Sequence, residues 1–362
     1  MAYSDIKDPS AHFQTKTYTG NGSTQSITND GNSDMQPDLV WIKNRETYQH
    51  QLYDTNRGVY KKLLAVTNAE TTDTTALTSF NNDGFSLGSN VGVNSSTYPG
   101  HVAWQWKANG GTTTSVSASG TGANCINAST HQVNQDAGFS IITYTGRADQ
   151  ITVHQQTNLT HGLGVAPDLT IMKKRDATGG WVVMGKHVTT SSAYSANEHL
   201  RLDTSDAVSA AEYTGYVAPT STYIYLGDAL VNDTDNDYVC YAFAEKQGYS
   251  KFGKYTGNGS ADGPFVYTGF KPAFIIVKKS SGTGNWLMYD NKRGAFNLND
   301  EYFYANSNAG ESTSSTSGYD FLSNGFKTRN TYNDGNVSGQ TYIYMAFAEN
   351  PFVAGGIPTT AR

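Results

Sequence analysis

The feature that most constrains this 362-residue chain is a short apolar strand written three times. Pro37-Asp-Leu-Val-Trp-Ile-Lys-Asn-Arg45 returns as Pro167-Asp-Leu-Thr-Ile-Met-Lys-Lys-Arg175 and as Pro272-Ala-Phe-Ile-Ile-Val-Lys-Lys-Ser280. Pro has no N–H to give a ladder and belongs at the start of a strand, with β-branched and aromatic residues behind it. A Lys stands six places after each Pro (Lys43, Lys173, Lys278) and reads as the point where the strand leaves the core. The prolines stand 130 and then 105 residues apart. That exceeds the roughly 20–50-residue period of solenoid arrays, so the plan is tandem β-modules.

Other motifs recur around the strand. Tyr18-Thr-Gly-Asn-Gly-Ser23 is repeated at 255–260 and shortened to Tyr144-Thr-Gly146. Phe80-Asn-Asn-Asp-Gly-Phe85 and Phe321-Leu-Ser-Asn-Gly-Phe326 are hairpin signals. Each unit closes on an alternating strand whose heavy face is Val102/Trp104/Trp106, Val239/Tyr241/Phe243 or Ile343/Met345/Phe347. Charged residues are only 15% of the chain, while Gly (37) and Tyr (24) abound. Helical periodicity is thin, with a turn or two conceivable at 197–203 and 57–66. The expected fold is all-β: three tandem β-sandwich modules of jelly-roll or concanavalin-like type. The boundaries read as an N-terminal arm (1–16), module one (17–109), a Gly/Ser/Thr-rich linker (110–137), module two (138–247), module three (248–351) and a C-terminal tail (352–362).

Several function classes are disfavoured. A net charge of −6 with no Lys/Arg run argues against nucleic acid. No apolar run approaches the ~18 residues of a membrane span, and the N-terminus carries no secretory signal pattern, so synthesis in a cytoplasm is expected. Cys125 and Cys240 leave a bridge open, two free thiols being the plainer reading. Gly84-Phe-Ser-Leu-Gly88 fits a nucleophile elbow, but it follows a hairpin and precedes no helix. Asp233-Thr-Asp-Asn-Asp237 alternates carboxylates but lacks the Gly and Glu of a calcium loop. The eight histidines follow no metal spacing, so neither catalytic residue, metal nor cofactor is expected.

The most specific internal signal is Tyr-Asp-x-x-Arg-Gly at 53–58 and 289–294, lost in module two at Met184-Gly-Lys-His187. The favoured reading has Asp and Arg closing a turn, with Gly at positive φ. The functional alternative has Asp290 and Arg293 gripping a sugar hydroxyl beside Trp286 and Tyr289, a candidate glycan contact.

Taken together, Asp8-Pro-Ser, Phe13-Gln-Thr15, the Tyr18–Gly31 run, Pro37–Arg45, Trp104-Gln-Trp-Lys-Ala-Asn-Gly-Gly111 and Tyr342–Pro351 resemble virion structural proteins of marine tailed bacteriophages. The resemblance spans nearly the whole chain and is weakest in module two. It implies a non-enzymatic tail-fibre or appendage component concerned with host attachment, working as a homo-oligomer, most simply a trimer. Other virion proteins would be its partners, through the arm and module one. It supplies no catalytic residues. A lectin-like adhesin binding host surface glycan, a capsid decoration protein and, least favoured, an envelope-glycan depolymerase are the alternatives.

Overall fold

The Pro-led run folds each time as an inner strand of a large antiparallel sheet: Leu39–Asn44, Leu169–Lys174 and Phe270–Lys279. Pro37 and Pro167 stand two residues ahead of the ladder. Pro272 lies inside it, at a register shift where a missing N–H is tolerated. The computed structural model describes residues 4, 6–117, 126, 128–147, 157–188, 198–210, 218–227, 229–351, 353–354 and 357–358.

One strand order recurs in all three large sheets. The first runs Phe13–Thr19, Gly100–Trp106, Leu39–Asn44, Gln51–Asp54, Lys61–Leu64, Thr71–Thr72. The third repeats it as Ser250–Thr256, Thr341–Pro351, Phe270–Lys279, Trp286–Asp290, Glu301–Tyr304, Ser312–Thr313. The second repeats it from Phe139–Thr145 through Asp237–Phe243, Leu169–Lys174, Trp181–Gly185 and Glu198–Arg201 to Ser209–Ala210.

Four expectations change. The second sheet has two further edge strands, Thr114–Ser117 and Ala128–Asn134, so much of the expected linker is sheet. Residues 198–201 and 61–64, read as possible helical turns, are strands, because each pairs with the strand before it. The described helices are single α-turns at Val91–Asn94 and Ala229–Asn232 and a 3-10 turn at Pro9–Ala11. The N-terminal arm joins the body: Ser4 Oγ donates to the Gln247 carbonyl, Ile6 is buried, and Phe13 opens an edge strand. Cys125 and most of the tail lie outside the described residues, whereas Cys240 is a buried free thiol.

A small sheet covers one face of each large one. These are Gln25–Ile27, Gly84–Leu87, Leu77–Asn81; Thr157–Thr160, Tyr223–Leu226; and Phe265–Tyr267, Gly325–Thr328, Tyr319–Leu322. The expected hairpins are here, and Gly84 takes φ 97° after its two-residue turn. Three separate clusters fill these two-layer gaps. One joins Val40, Ile42 and Ala103 to Phe85 and Leu87, and the others are its counterparts.

The opposite faces of the large sheets meet one another. Trp104, Trp106, Tyr241, Phe243, Met345 and Phe347 all belong to a single cluster drawn from all three sheets. At its centre Trp106, Phe243 and Phe347 form a closed triangle with ring centroids 5.6, 5.9 and 6.5 Å apart. They occupy one register position, opposite Leu39, Leu169 and Phe274, so the three sheets surround a pseudo-three-fold axis.

Trp106 is 1% exposed and its indole N–H finds no acceptor. Trp106→Phe, the residue of the other two sheets, is expected to be neutral or stabilising, because it deletes an unsatisfied donor. Trp106→Ala is expected to cost about 3–5 kcal/mol by leaving a cavity on the axis. Both are read by urea unfolding followed by tryptophan fluorescence and far-UV circular dichroism, with one shared transition expected, since the three sheets hold one core in common.

Candidate functional site: buried clasps between the large sheets

The Tyr-Asp-x-x-Arg-Gly motif begins as a local turn. Asp54 ends its strand, and its Oδ1 accepts the Arg57 backbone N–H (2.8 Å) while Oδ2 accepts Nε (2.5 Å). Asp290 and Arg293 repeat this at 2.9 and 2.6 Å. Gly58 takes φ 99°, while Gly294 is required for space, since a Cβ there would strike the Asn299 amide.

The turn then becomes a clasp on the neighbouring sheet. Tyr241 Oη donates to Asp54 Oδ2 at 2.7 Å, and Trp104 Nε1 donates to Asp290 Oδ2 at 3.1 Å. Arg57 reaches Glu70 (2.8 Å), which pairs with Arg175 of the second sheet at 3.0 Å. Arg293 reaches Glu311 (3.0 Å), which pairs with Arg45 of the first sheet, and its guanidinium lies 4.3 Å from the Phe303 ring centroid. Burial disfavours the Arg57 cation, but Asp54, Tyr241 and Glu70 outweigh that and push its pKa up. Burial would raise the Glu70 pKa, yet bonds from Arg175 and Arg57 bring it below the usual carboxylate value.

The third junction is built without the Asp–Arg–Glu–Arg chain. Gly185 faces Leu169 as Asp54 faces Leu39 and Asp290 faces Phe274. Met345 faces Ile276 as Trp104 faces Trp41 and Tyr241 faces Ile171. Val188, three places after Gly185, stands where the motif has Arg and is 1% exposed in the shared core. The backbone link survives throughout: Glu70 N–H to Arg175 O (2.6 Å), Val208 N–H to Ser280 O (3.0 Å), Glu311 N–H to Arg45 O (2.5 Å).

A second ring of contacts runs alongside. Trp181 Nε1 donates to Leu64 O (2.8 Å), Trp286 Nε1 to Arg201 O (2.8 Å) and His50 Nε2 to Tyr304 O (3.1 Å). Trp41 donates to His50 Nδ1 (2.9 Å), which puts the His50 proton on Nε2, and burial holds its pKa well below the ordinary value, keeping the ring neutral.

The repeated Lys corrects the sequence reading. Lys43, Lys173 and Lys278 do not mark an exit from the core: all three are fully buried. Each ammonium is held by local carbonyls, such as Tyr48 O at 2.7 Å from Lys43 and Gly179 O at 2.8 Å from Lys173, and each reaches the next sheet. Lys43 reaches Asn308 O (3.4 Å), Lys173 reaches Thr67 O (3.2 Å) and Lys278 reaches Ser205 O (3.3 Å). Burial lowers their pKa values to about 7, 8 and 8.

The four candidate glycan contacts are therefore inward. Asp290 and Tyr289 are 0% exposed, Trp286 4% and Arg293 7%. Asp290 and Arg293 bond each other, and Tyr289 Oη and Trp286 Nε1 donate to the Ser317 and Arg201 carbonyls. No sugar ring reaches them from solvent, and the turn-closing reading of the motif is the one its geometry follows. Among the other lures, Ser86 lies on a strand with its hydroxyl 2.9 Å from Ser26 Oγ. Asp233 accepts Lys174 and Asn236 in the turn before Asp237–Phe243. Among the described residues no group of three or more His, Cys, Asp or Glu is placed to hold a metal. No described helix is long and apolar enough to cross a membrane. Sequence reading missed Glu70, Glu311, Arg45 and Arg175 as clasp members, although Arg at the eighth place after Pro in the first two copies was a visible trace.

This arrangement defines an all-β protein whose charged and aromatic side chains tie its sheets to one another. The family model described as "Domain of unknown function (DUF7483)" matches residues 8–351, and the chain belongs to that family. No curated protein and no solved structure matches it.

Two outcomes test the clasps. Asp290→Asn takes away the nearer of the two carboxylates on the buried Arg293 cation, leaving only Glu311, which Arg45 shares, and is expected to destabilise by about 3 kcal/mol in urea unfolding. Combining Asp290→Gly, Arg293→Val, Glu311→Val, Arg45→Ser and Trp104→Met copies the junction that lacks the carboxylate–guanidinium chain and is expected to cost less than the sum of its single changes.

The lysines give a pH dependence. Unfolded, each keeps its proton to about 10.5; folded, each loses it near 7 to 8. The unfolded state thus binds more protons in that window, and stability rises with pH between about 7.5 and 10. Denaturation midpoints at pH 7.5, 8.5 and 9.5 are expected to climb, and Lys43→Met to flatten the climb. Above pH 10 the trend reverses, because burial raises the pKa of tyrosines such as Tyr249 and Tyr289 and the unfolded state loses those protons first.

Proposed function

We propose that the chain is a non-enzymatic structural component of a tailed phage particle, in a tail fibre or appendage that takes part in host attachment. In this reading it consists of three β-sandwich modules, each a large sheet backed by a small one, set around a common axis. The observation that supports it is the closed ring of contacts among three sheets that share one six-strand order. Such a ring makes a rigid block and commits the clasp side chains to internal bonds. A trimeric fibre obtains three-fold symmetry from three chains; here one chain supplies it. Attachment to the particle and self-association then fall to surfaces outside the clasps.

Immunogold labelling of purified particles with antibody to the full chain is expected to mark tail appendages. Labelling over the capsid lattice would make it a head decoration protein, and unlabelled particles would end the virion reading.

A further inference from the structure

The outer faces of the first and third small sheets differ in kind. In the third, strand pairing sets Phe265 opposite Lys327 and Lys327 opposite Asp320, so these three cross the sheet in one row on one face. The next row on that face is Tyr267, Gly325 and Leu322. The intervening residues Val266, Phe321 and Phe326 point inward and are buried. Phe265 and Tyr267 are 44% and 53% exposed, although both are large apolar rings. A Cβ on Gly325 would come 3.1 Å from a Phe265 ring carbon, so that ring leans along the sheet over the glycine rather than standing up from it. The corresponding row of the first small sheet is Ser26, Ser86 and Ser79. A duplicated fold needs no aromatics here, since the first copy manages with hydroxyls.

Polar groups frame the rings. Lys327 Nζ lies 2.7 Å from Asp262, Arg329 Nε lies 2.7 Å from Asp320, and the Asp262 side chain is 80% exposed. Phe296, the most exposed large apolar residue among the described residues at 80%, precedes Asn297, whose amide brackets the Phe321 backbone at the far edge of the same sheet.

From this juxtaposition we infer that the outer face of the sheet formed by Phe265–Tyr267, Gly325–Thr328 and Tyr319–Leu322 binds a neutral oligosaccharide, with Phe265 and Tyr267 as stacking surfaces. The two exposed rings offer on the order of 200 Å². A stable protein partner, or a second copy of this chain, needs about 800 Å² per side. The area suits one or two sugar rings. Two cations and two carboxylates balance, so the frame favours neither an anionic nor a cationic ligand, while the exposed Asp262 and Arg329 offer an acceptor and donors to hydroxyls that do both. This proposal goes beyond the scaffold reading and stands or falls apart from it.

The test is affinity electrophoresis of the full chain through gels containing dextran, starch, mixed-linkage β-glucan or galactomannan, followed by titration calorimetry with hexasaccharides of the retarding polymer. Retardation by at least one neutral polymer is expected. Phe265→Ser and Tyr267→Ser, which restore the character of the first copy on an exposed face, are each expected to weaken binding about tenfold with unchanged circular dichroism. Lack of retardation in every neutral gel would overturn the proposal, as would retardation only by sulfated or uronic polymers. Serine variants within about twofold of the parent would do the same. So would a concentration-dependent dimer, seen by sedimentation, that Phe265→Ser abolishes, since the rings would then belong to a protein interface.

Discussion

The fold depends on the second apolar face of each closing strand. Val102, Trp104 and Trp106 point away from the small sheet that covers the other side, as do Val239, Tyr241 and Phe243, and Ile343, Met345 and Phe347. A sheet that is apolar on both faces must be covered on both. The chain covers three such faces with one another, around Trp106, Phe243 and Phe347. Closing that ring carries polar groups out of water, and every group so carried needs a partner. The ring N–H of Trp181, Trp286 and His50 and the ammonium groups of Lys43, Lys173 and Lys278 meet that need with carbonyls of the next sheet.

The three junctions show two solutions to one problem. At two of them an Asp–Arg–Glu–Arg chain, buried at its Asp–Arg end and part-exposed at its outer Arg, accepts a hydrogen bond from an aromatic tip, Tyr241 or Trp104. At the third, Gly185, Val188, Val208, Ser280 and Met345 stand in the corresponding places. Buried charge and well-packed apolar side chains come out close in free energy, whereas half of a charged network is costly. The replacement therefore had to involve the set, and Met, with no donor to lose, sits where the carboxylate is gone.

Besides this interior difference, the copies diverge on the outer faces of the small sheets. Ser26, Ser79 and Ser86 keep one such face small and polar, while Phe265, Tyr267 and Lys327 give another an aromatic surface. The inner faces of the same strands are constrained by packing against the large sheet, and only their outward alternates are free to vary.

Much of this was legible in the chain. Pro-led β-branched runs, Asp-Gly and Asn-Gly turns and period-two aromatics determined the strands, because ladder chemistry and turn geometry are local. Composition determined the all-β class. Local patterning could not say which face of a strand meets a neighbour in its own unit and which meets another unit, so Lys43 read as an exit and Asp290 and Arg293 as a possible sugar grip. One trace of the ring was present but offset: Asp–Arg is kept in copies one and three, while Arg45, Arg175 and the polar-tipped Trp104 and Tyr241 are kept in copies one and two. Members of one clasp come from different copies, so only the tertiary structure, which brings each sheet against the next, decided that the triplicated strand is a device for joining the sheets.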